Sequence, residues 1–203
     1  MPEGRKKRIR RDPNTTRALI LETAERLMLE EGYAAVSTRR VAKEAGLTGA
    51  LVHYYYPTTD DLFIALHRLM TERHLEQLKQ APASDRPLET LWQFQIDPAR
   101  AALGVEFLGL ANHRKAIRQE IALRTEQARD AQAQIFETVL AEAKGIPDMC
   151  SPMCLATLLA AAARTLVNEE SIGITRGHED VKTFIAWLIS QTGEAAGADA
   201  QNS

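Results

Sequence analysis

The chain reads as an all-α protein, with an N-terminal three-helix domain of the helix-turn-helix kind followed by a longer helical C-terminal domain. Three features of its 203 residues predict this. Inward-facing positions recur at steps of three and four rather than in alternation, as in the run Leu19, Ile20, Thr23, Ala24, Leu27 and Met28. Residues 31–63, EGYAAVSTRRVAKEAGLTGALVHYYYPTTDDLF, are cut by Gly32, Gly46 and Pro57 into two short helices joined by a tight turn and closed by an aromatic run, the layout of a DNA reader. Beyond Phe63 there is neither strand-like alternation nor an internal repeat.

The first helix runs from Thr16 to about Glu31, where Gly32 supplies the left-handed conformation that ends it. Ser37 or Thr38 caps a second helix, Thr38 to Glu44, with Val41, Ala42 and Ala45 on one face and Arg39, Arg40 and Lys43 on the other. Gly46 ends it, and Leu47 anchors the turn in the core. Thr48 caps a third helix, Gly49 to Tyr55, which Pro57 stops. Its small leading residues suit a helix that sinks into a major groove. The polar tips of His53, Tyr54 and Tyr55 can reach phosphates or base edges while their opposite ring faces pack inward.

Thr58 or Thr59 caps a long helix to about Gln80, with Asp60 and Asp61 in its first turn and Leu62, Leu66, Leu69 and Met70 inward. Ala81 to Pro87 is a linker. Helices then cover Leu88 to about Gln95, Ala99 to about Leu110 with Asp97 as N-cap and Pro98 at its first position, and His113 to Ala143, closed by Lys144-Gly145. Ser151 and Pro152 open the next, to about Glu170, and His178 or Glu179 opens the last, to about Gln191. The tail from Thr192 frays. Two stripes on these last helices read as a dimer interface: Ala156, Ala160, Ala163 and Val167, small enough for close helix approach, and Val181, Phe184, Ile185 and Leu188. The alternative is that both stripes face their own subunit's core.

The string from Gly32 to Phe63 resembles the N-terminal DNA-binding domain of the tetracycline-repressor (TetR) family of bacterial transcription regulators. The likeness runs without a gap from about Thr16 and rests on the joint spacing of Gly32, Val41-Ala42, Ala45-Gly46-Leu47-Thr48, Tyr55-Tyr56 and Leu62-Phe63. Read with it, Ser37, Thr38, Arg39, Thr48, Gly49, Ala50, His53, Tyr54, Tyr55 and Thr59 are the DNA-binding candidates, Arg39 and Thr48 for phosphates and the Gly49 to Tyr54 surface for bases. Two positions depart from the family pattern: His53 stands where an aromatic is usual, and Thr59 where a Lys usually follows the aromatic turn. The missing Lys removes one phosphate contact, though backbone amides near Thr59 still offer an anion site. The resemblance also implies a four-helix dimer bundle, a double-stranded operator with half-sites roughly 34 Å apart, and a C-terminal domain that senses a small molecule and thereby weakens DNA binding.

A mass of 22.5 kDa with 45% apolar and 26% charged residues is ordinary for a soluble globular protein. No apolar run approaches the roughly 18 residues that span a bilayer, and no signal-peptide core is present, so the expected location is cytoplasmic, away from membranes, with Cys150 and Cys154 reduced. Net charge is −2, but residues 1–56 hold 11 Lys or Arg against 7 Asp or Glu, and the totals of 25 and 27 leave 14 against 20 for the remainder. Arg5, Lys6, Lys7, Arg8, Arg10 and Arg11 are too dense to fold alone and suit a flexible DNA arm, or else a solubilising tail. Neither Cys150 and Cys154 nor His67 and His74 shows metal-ligand spacing, and no phosphate-cradling loop or nucleophile elbow occurs, so no metal, cofactor or enzymatic activity is expected.

Large apolar candidates for an effector pocket are Leu66, Met70, Trp92, Phe94, Leu103, Phe107, Leu110 and Phe136, although each taken singly reads more readily as ordinary core. Arg124 interrupts the stripe Ile117, Ile121, Ala128, Ala131, Ile135 and Val139, and so points inward. Its forked donors suit either an internal carboxylate, with Glu106 the obvious partner, or an acidic ligand. His113 and Asn112, at the mouth of that helix, are weaker candidates. The expected division is a basic arm at 1–14, a helix-turn-helix domain at 15–60, an effector-binding and dimerisation domain at 61–192, and a flexible tail at 193–203. The function expected is a homodimeric repressor released by a small, largely apolar, possibly acidic ligand. The alternatives are a ligand-independent regulator with a packed C-terminal interior and, more distantly, an enzyme.

Overall fold

A computed structural model of the chain describes residues 12–84, 86–142 and 150–191. The basic arm at residues 5–11, the helix end at Lys144-Gly145 and the tail from Thr192 lie outside the described residues. All regular structure among the described residues is helical. The chain divides into two compact units, Met1–Leu66 and His67–Ser203.

In the first unit, α1 spans Pro13–Glu31, starting earlier than its apolar periodicity indicates. The Asp12 carboxylate accepts from the backbone N–H groups of Asn14 at 3.0 Å and Thr15 at 3.1 Å, and Pro13 takes the first helical position, where no N–H is missed. Residues 12–14 therefore belong to the helix and its cap, not to an arm. Ile20, Ala24, Leu27 and Met28 form its buried face. Thr16 and Thr23 are buried with them, and their hydroxyls donate to the Asp12 and Leu19 carbonyls at 3.1 and 2.7 Å. Gly32 ends α1 at φ 80° and ψ 168°, a positive φ that favours glycine but not the left-handed helical conformation.

Ser37 caps α2 (Thr38–Glu44) by accepting from the Arg40 N–H at 3.1 Å. Gly46, at φ 63°, lets the Leu47 N–H turn back to the Ala42 carbonyl at 2.8 Å. Leu47 is half-buried rather than an anchor deep in the core. Thr48 caps α3 (Gly49–Tyr55), accepting from Leu51 at 3.3 Å. Thr58 caps α4 (Thr59–Gln80) in a reciprocal pair with Asp61: the Asp61 N–H donates to Oγ1 at 3.1 Å, and the Asp61 carboxylate accepts from the Thr58 N–H at 3.0 Å. Val36, Val41, Ala42, Val52, Tyr56, Leu62, Phe63 and Leu66 are buried in this unit as well.

The second unit holds the remainder of α4, then α5 (Pro87–Gln95), α6 (Pro98–His113), α7 (Lys115–Glu142), α8 (Pro152–Ser171) and α9 (His178–Ser190). α7 packs against α6 and α8. One apolar cluster joins Leu78, Leu88, Leu91, Trp92, Phe136, Leu155, Leu159, Leu166, Ile185 and Leu188. The α6–α7 break lies three residues later than the sequence indicates, at Arg114, with no Gly or Pro to mark it. Arg118 from the next helix caps α6 instead, its guanidinium donating to the Ala111 and Asn112 carbonyls at 2.8 and 3.0 Å. His113 is consequently the exposed last residue of α6, not the mouth of α7. At the other end of the unit, buried His178 meets Glu169 at 2.9 Å and ties the start of α9 to α8.

Candidate nucleic-acid interface and ligand cavity

The first unit presents α3 outward. Val52 and, just beyond the helix, Tyr56 hold it to the core at 0% and 8% exposure. Thr48, Gly49, Ala50, Leu51, His53 and Tyr54 then face solvent together, Tyr54 most of all at 78%. Tyr55 is half-buried, edge-on to Tyr54 with ring centroids 5.3 Å apart and with the Arg17 guanidinium 5.4 Å from its own centroid. A cation against that ring fixes the tyrosine's orientation more than it adds stability, about 0.5–1 kcal/mol when exposed. The inward-packing tyrosine is thus Tyr56, not Tyr54.

A Cβ built on Gly49 would meet nothing within 4 Å, so nothing inside the protein demands glycine there. A requirement for smallness at this position can come only from something approaching from outside. On α2, Arg39 and Lys43 are exposed, and Ser37 and Thr38 are half-buried at the helix start. Arg40 is bound to Glu31 at 2.9 Å and Glu44 at 3.1 Å, which makes it a brace between helices. Thr59 is half-buried, and the N-terminus it opens already carries Asp60 and Asp61. The Asp61 carboxylate takes the Thr58 N–H and, at 2.7 Å, its hydroxyl, so a phosphate would meet negative charge there and the expected anion site is spoiled.

The second unit holds a half-open cavity of about 220 Å³. α4 contributes His67, Met70, Thr71 and His74 to its wall; α6 contributes Arg100, Gly104, Phe107 and Leu108. Ile121, Arg124, Thr125, Ala128, Arg129 and Gln132 come from α7, and Ala160 and Arg164 from α8. A polar chain runs through it: Arg100 bonds to His74 Nδ1, and His74 Nε2 lies 3.2 Å from the Gln132 amide. Because a guanidinium only donates, Nδ1 accepts, and the neutral ring carries its proton on Nε2, beside the Gln132 side-chain amide. Burial, with Arg100 beside it, holds His74 down at about 3, and burial holds His67 down at about 4. Both rings are neutral at ordinary pH. His67 packs edge-on to Phe107 at 4.9 Å, and its Nδ1 is buried without a hydrogen-bond partner.

The sequence profile of the bacterial regulatory proteins of the tetR family matches residues 20–66, the stretch that builds this reading surface. Residues 20–66 are a TetR-family DNA-binding domain. It is similar to the HTH-type transcriptional regulator PksA of Bacillus subtilis, 31% identical over 87 residues that span 42% of this chain and 42% of that protein. A TetR transcription regulator from Haloarcula marismortui shares the fold with a TM-score of 0.69 and 21% identity over 88% of this chain and 98% of the other. So does a transcriptional regulator from Saccharomonospora viridis solved in complex with choline, with a TM-score of 0.71 and 20% identity over 87% and 96%. The fold of the chain is thus the one these regulators share.

Of the pocket residues expected from the sequence, the cavity brings together Met70, Phe107 and Arg124. Leu66, Leu103 and Leu110 are core at 0%, 3% and 1% exposure, and Trp92, Phe94 and Phe136 pack in the apolar cluster of the second unit. Glu106 is half-buried outside the lining. Arg124 meets Glu120 at 2.9 Å, one turn back on its own helix, where the sequence points to Glu106. Glu120 also accepts two bonds from Arg68, at 2.7 and 2.8 Å, and with those donors its carboxyl is held down at about 2. Sequence reasoning missed Arg100, His74 and Gln132. Their signal was present, since His67 and His74 stand two turns apart on one face of α4, but both were weighed only as metal ligands.

The expected dimer stripes are largely internal. Ala156, Ala163, Ile185 and Leu188 are 0%, 1%, 4% and 7% exposed, and Ala160 lines the cavity. Val167 is half-buried. Leu158 on α8 and Val181, Phe184 and Trp187 on α9 are what the two helices leave outside, with the Phe184 and Trp187 rings 5.5 Å apart. Both helices are apolar on two faces, so helical periodicity fits either choice. Alanines go inward where the core cluster requires close approach. Cys150 and Cys154 are free thiols, and burial, with Cys154 adjacent, pushes the Cys150 thiol up, away from the thiolate a reactive cysteine needs.

Proposed function

We propose that this TetR-family regulator is a cytoplasmic repressor that binds a palindromic operator as a homodimer and is released when a small molecule enters the cavity of its second unit. The observation that carries this reading is the coexistence, in one chain, of a bare reading helix and a half-open cavity lined by both polar and apolar side chains. A regulator that works without a ligand would favour a packed interior. A volume of about 220 Å³, larger than the roughly 150 Å³ that admits a benzene, favours an effector.

Gly49, Ala50, His53 and Tyr54 would face bases, with Arg39, Lys43 and Thr48 on the backbone. Two such surfaces, one per subunit, would read half-sites roughly 34 Å apart. Leu158, Val181, Phe184 and Trp187 are the apolar surface best suited to join the subunits, in the manner of a helix bundle. The four arginines of the cavity disfavour a cation such as the choline held by the Saccharomonospora viridis protein, and favour an effector of the opposite charge. Selection of bound sequences from random DNA should return a palindrome. Phe184→Glu should yield a monomer by size-exclusion chromatography and lose operator affinity; a stable Phe184→Glu dimer would sink the interface assignment.

A further inference from the structure

The ionic groups of the cavity wall are all of one sign. Four lining residues are arginines, Arg100, Arg124, Arg129 and Arg164, and none of the lining residues is an Asp or Glu. Arg124 is neutralised by Glu120 from behind. Arg100 is in no ion pair: its guanidinium bonds to a neutral imidazole nitrogen, His74 Nδ1, and to the Phe94 carbonyl oxygen at 3.5 Å, and the exposed Asp97 carboxylate acts on it only through space. Arg129 and Arg164 form no ion pair with a described residue. Burial lowers Arg100 only to about 10, so it stays charged at neutral pH, while His67 and His74 contribute no charge.

A guanidinium withdrawn from water without a carboxylate is costly to keep, and its planar fork matches two oxygens of an oxyanion. The His67 Nδ1, buried and without a hydrogen-bond partner, is a further polar atom of this wall that the chain itself leaves unused. The same lining carries Met70, Phe107, Leu108 and Ile121, which offer contact only to an apolar body. The cavity, at about 220 Å³, lies below the roughly 300–1,000 Å³ typical of drug-sized ligands, which favours a compact ligand.

We propose that the cavity is a receptor for a small organic oxyanion, its charged head on Arg100 with Arg129 and Arg164 adding to the field, and its compact apolar body against Phe107, Met70 and Ile121. This rests on the reading of the cavity as the effector site and names the effector's chemical class. A carboxylate and a phosphate monoester share the required chemistry. The neutral histidines leave Arg100 as the principal buried charge, so a single negative charge is the better match.

The test uses the full chain and four probes: benzoate, phenyl phosphate, the neutral benzamide and the cation choline. Both tryptophans, Trp92 and Trp187, lie in the second unit, so thermal unfolding followed by tryptophan fluorescence reports on it directly. Benzoate or phenyl phosphate should raise the melting temperature in a saturable way, the stronger of the two identifying the head group, while benzamide and choline leave it unchanged. Arg100→Gln should weaken the effective anion about tenfold or more. Arg164→Gln, at an exposed position where folding is not at stake, should weaken it by a smaller factor and reduce its salt dependence. Equal stabilisation by benzamide, no stabilisation by either anion, or anion affinity unaltered in both variants would overturn the proposal. Operator affinity is measured separately: an anion that binds through Arg100 yet leaves DNA binding intact upholds the receptor and overturns ligand release.

Discussion

The reading surface of the first unit and the cavity of the second use polar residues in opposite ways. On α3 the polar and small residues point outward, few are bonded to one another, and none is needed to hold the helix, which Val52 and Tyr56 already do. In the cavity they line one wall together, arrive from five helices, and include a chain from Arg100 through His74 to Gln132. The first arrangement separates function from stability. The second couples them, because any change at His74 or Arg100 alters packing and charge at once.

That contrast can be broken most forcefully in the core of the second unit. Phe136, 2% exposed in the apolar cluster, should cost about 3–5 kcal/mol of stability when replaced by Ala. Tryptophan fluorescence should record the loss. All four tyrosines, Tyr33, Tyr54, Tyr55 and Tyr56, belong to the first unit, so tyrosine absorbance follows that unit separately. Equal destabilisation by both probes would show that the units unfold as one and that their separation here is geometric only.

Next in size is Gly49→Glu. The open space around Gly49 leaves folding untouched, while a carboxylate facing phosphates should lower operator affinity roughly a hundredfold, about 3 kcal/mol. Fluorescence anisotropy on the selected operator measures it. A variant that keeps its affinity places α3 away from the groove.

These two positions also show what the sequence could and could not disclose. The first unit was legible because its determinants are local: Ser37, Gly46, Thr48 and Pro57 each act on the few residues beside them, and the helices they delimit are the helices observed. The cavity was not legible, because no local rule says that His74 on α4 meets Arg100 on α6 and Gln132 on α7. Arg124 was rightly singled out as an interruption of an apolar stripe, yet its partner proved to be Glu120 on its own helix. The α6–α7 break escaped notice for a related reason, since Arg118, four residues beyond, does the work a glycine would otherwise announce.

The two units should also respond to opposite ends of the pH scale. His67 and His74 titrate near 4 and 3 when folded but at about 6.5 when unfolded, so the unfolded state binds more protons in between. Stability of the second unit is therefore full above about pH 6.5 and falls as pH drops toward 3. Glu120, held at about 2, adds a further loss below about 4.5 as its ordinary carboxyl pKa is passed. In the first unit burial raises Tyr56 above its usual 10, and its contribution is lost as pH rises past that value. Tryptophan-detected melting between pH 7 and 3 should show the acid limb. A His67→Gln, His74→Gln double variant should flatten its upper part, and an unchanged slope would mean that neither ring is kept neutral by the fold.

The smallest expected effect is the sharpest discriminator, because it changes sign with the property measured. Gly49→Ala adds one methyl at the first position of α3, where φ is ordinary and nothing lies within 4 Å. Alanine restricts the unfolded chain and suits a helix better than glycine, so stability should rise, by no more than about 1 kcal/mol. The same methyl on a surface pressed against base edges should lower operator affinity, or shift the preferred bases toward those with a thymine methyl to meet it. A gain in stability with no change in affinity or sequence preference would mean that the glycine serves neither the fold nor the groove, and that the reading surface begins further along α3, at His53 and Tyr54.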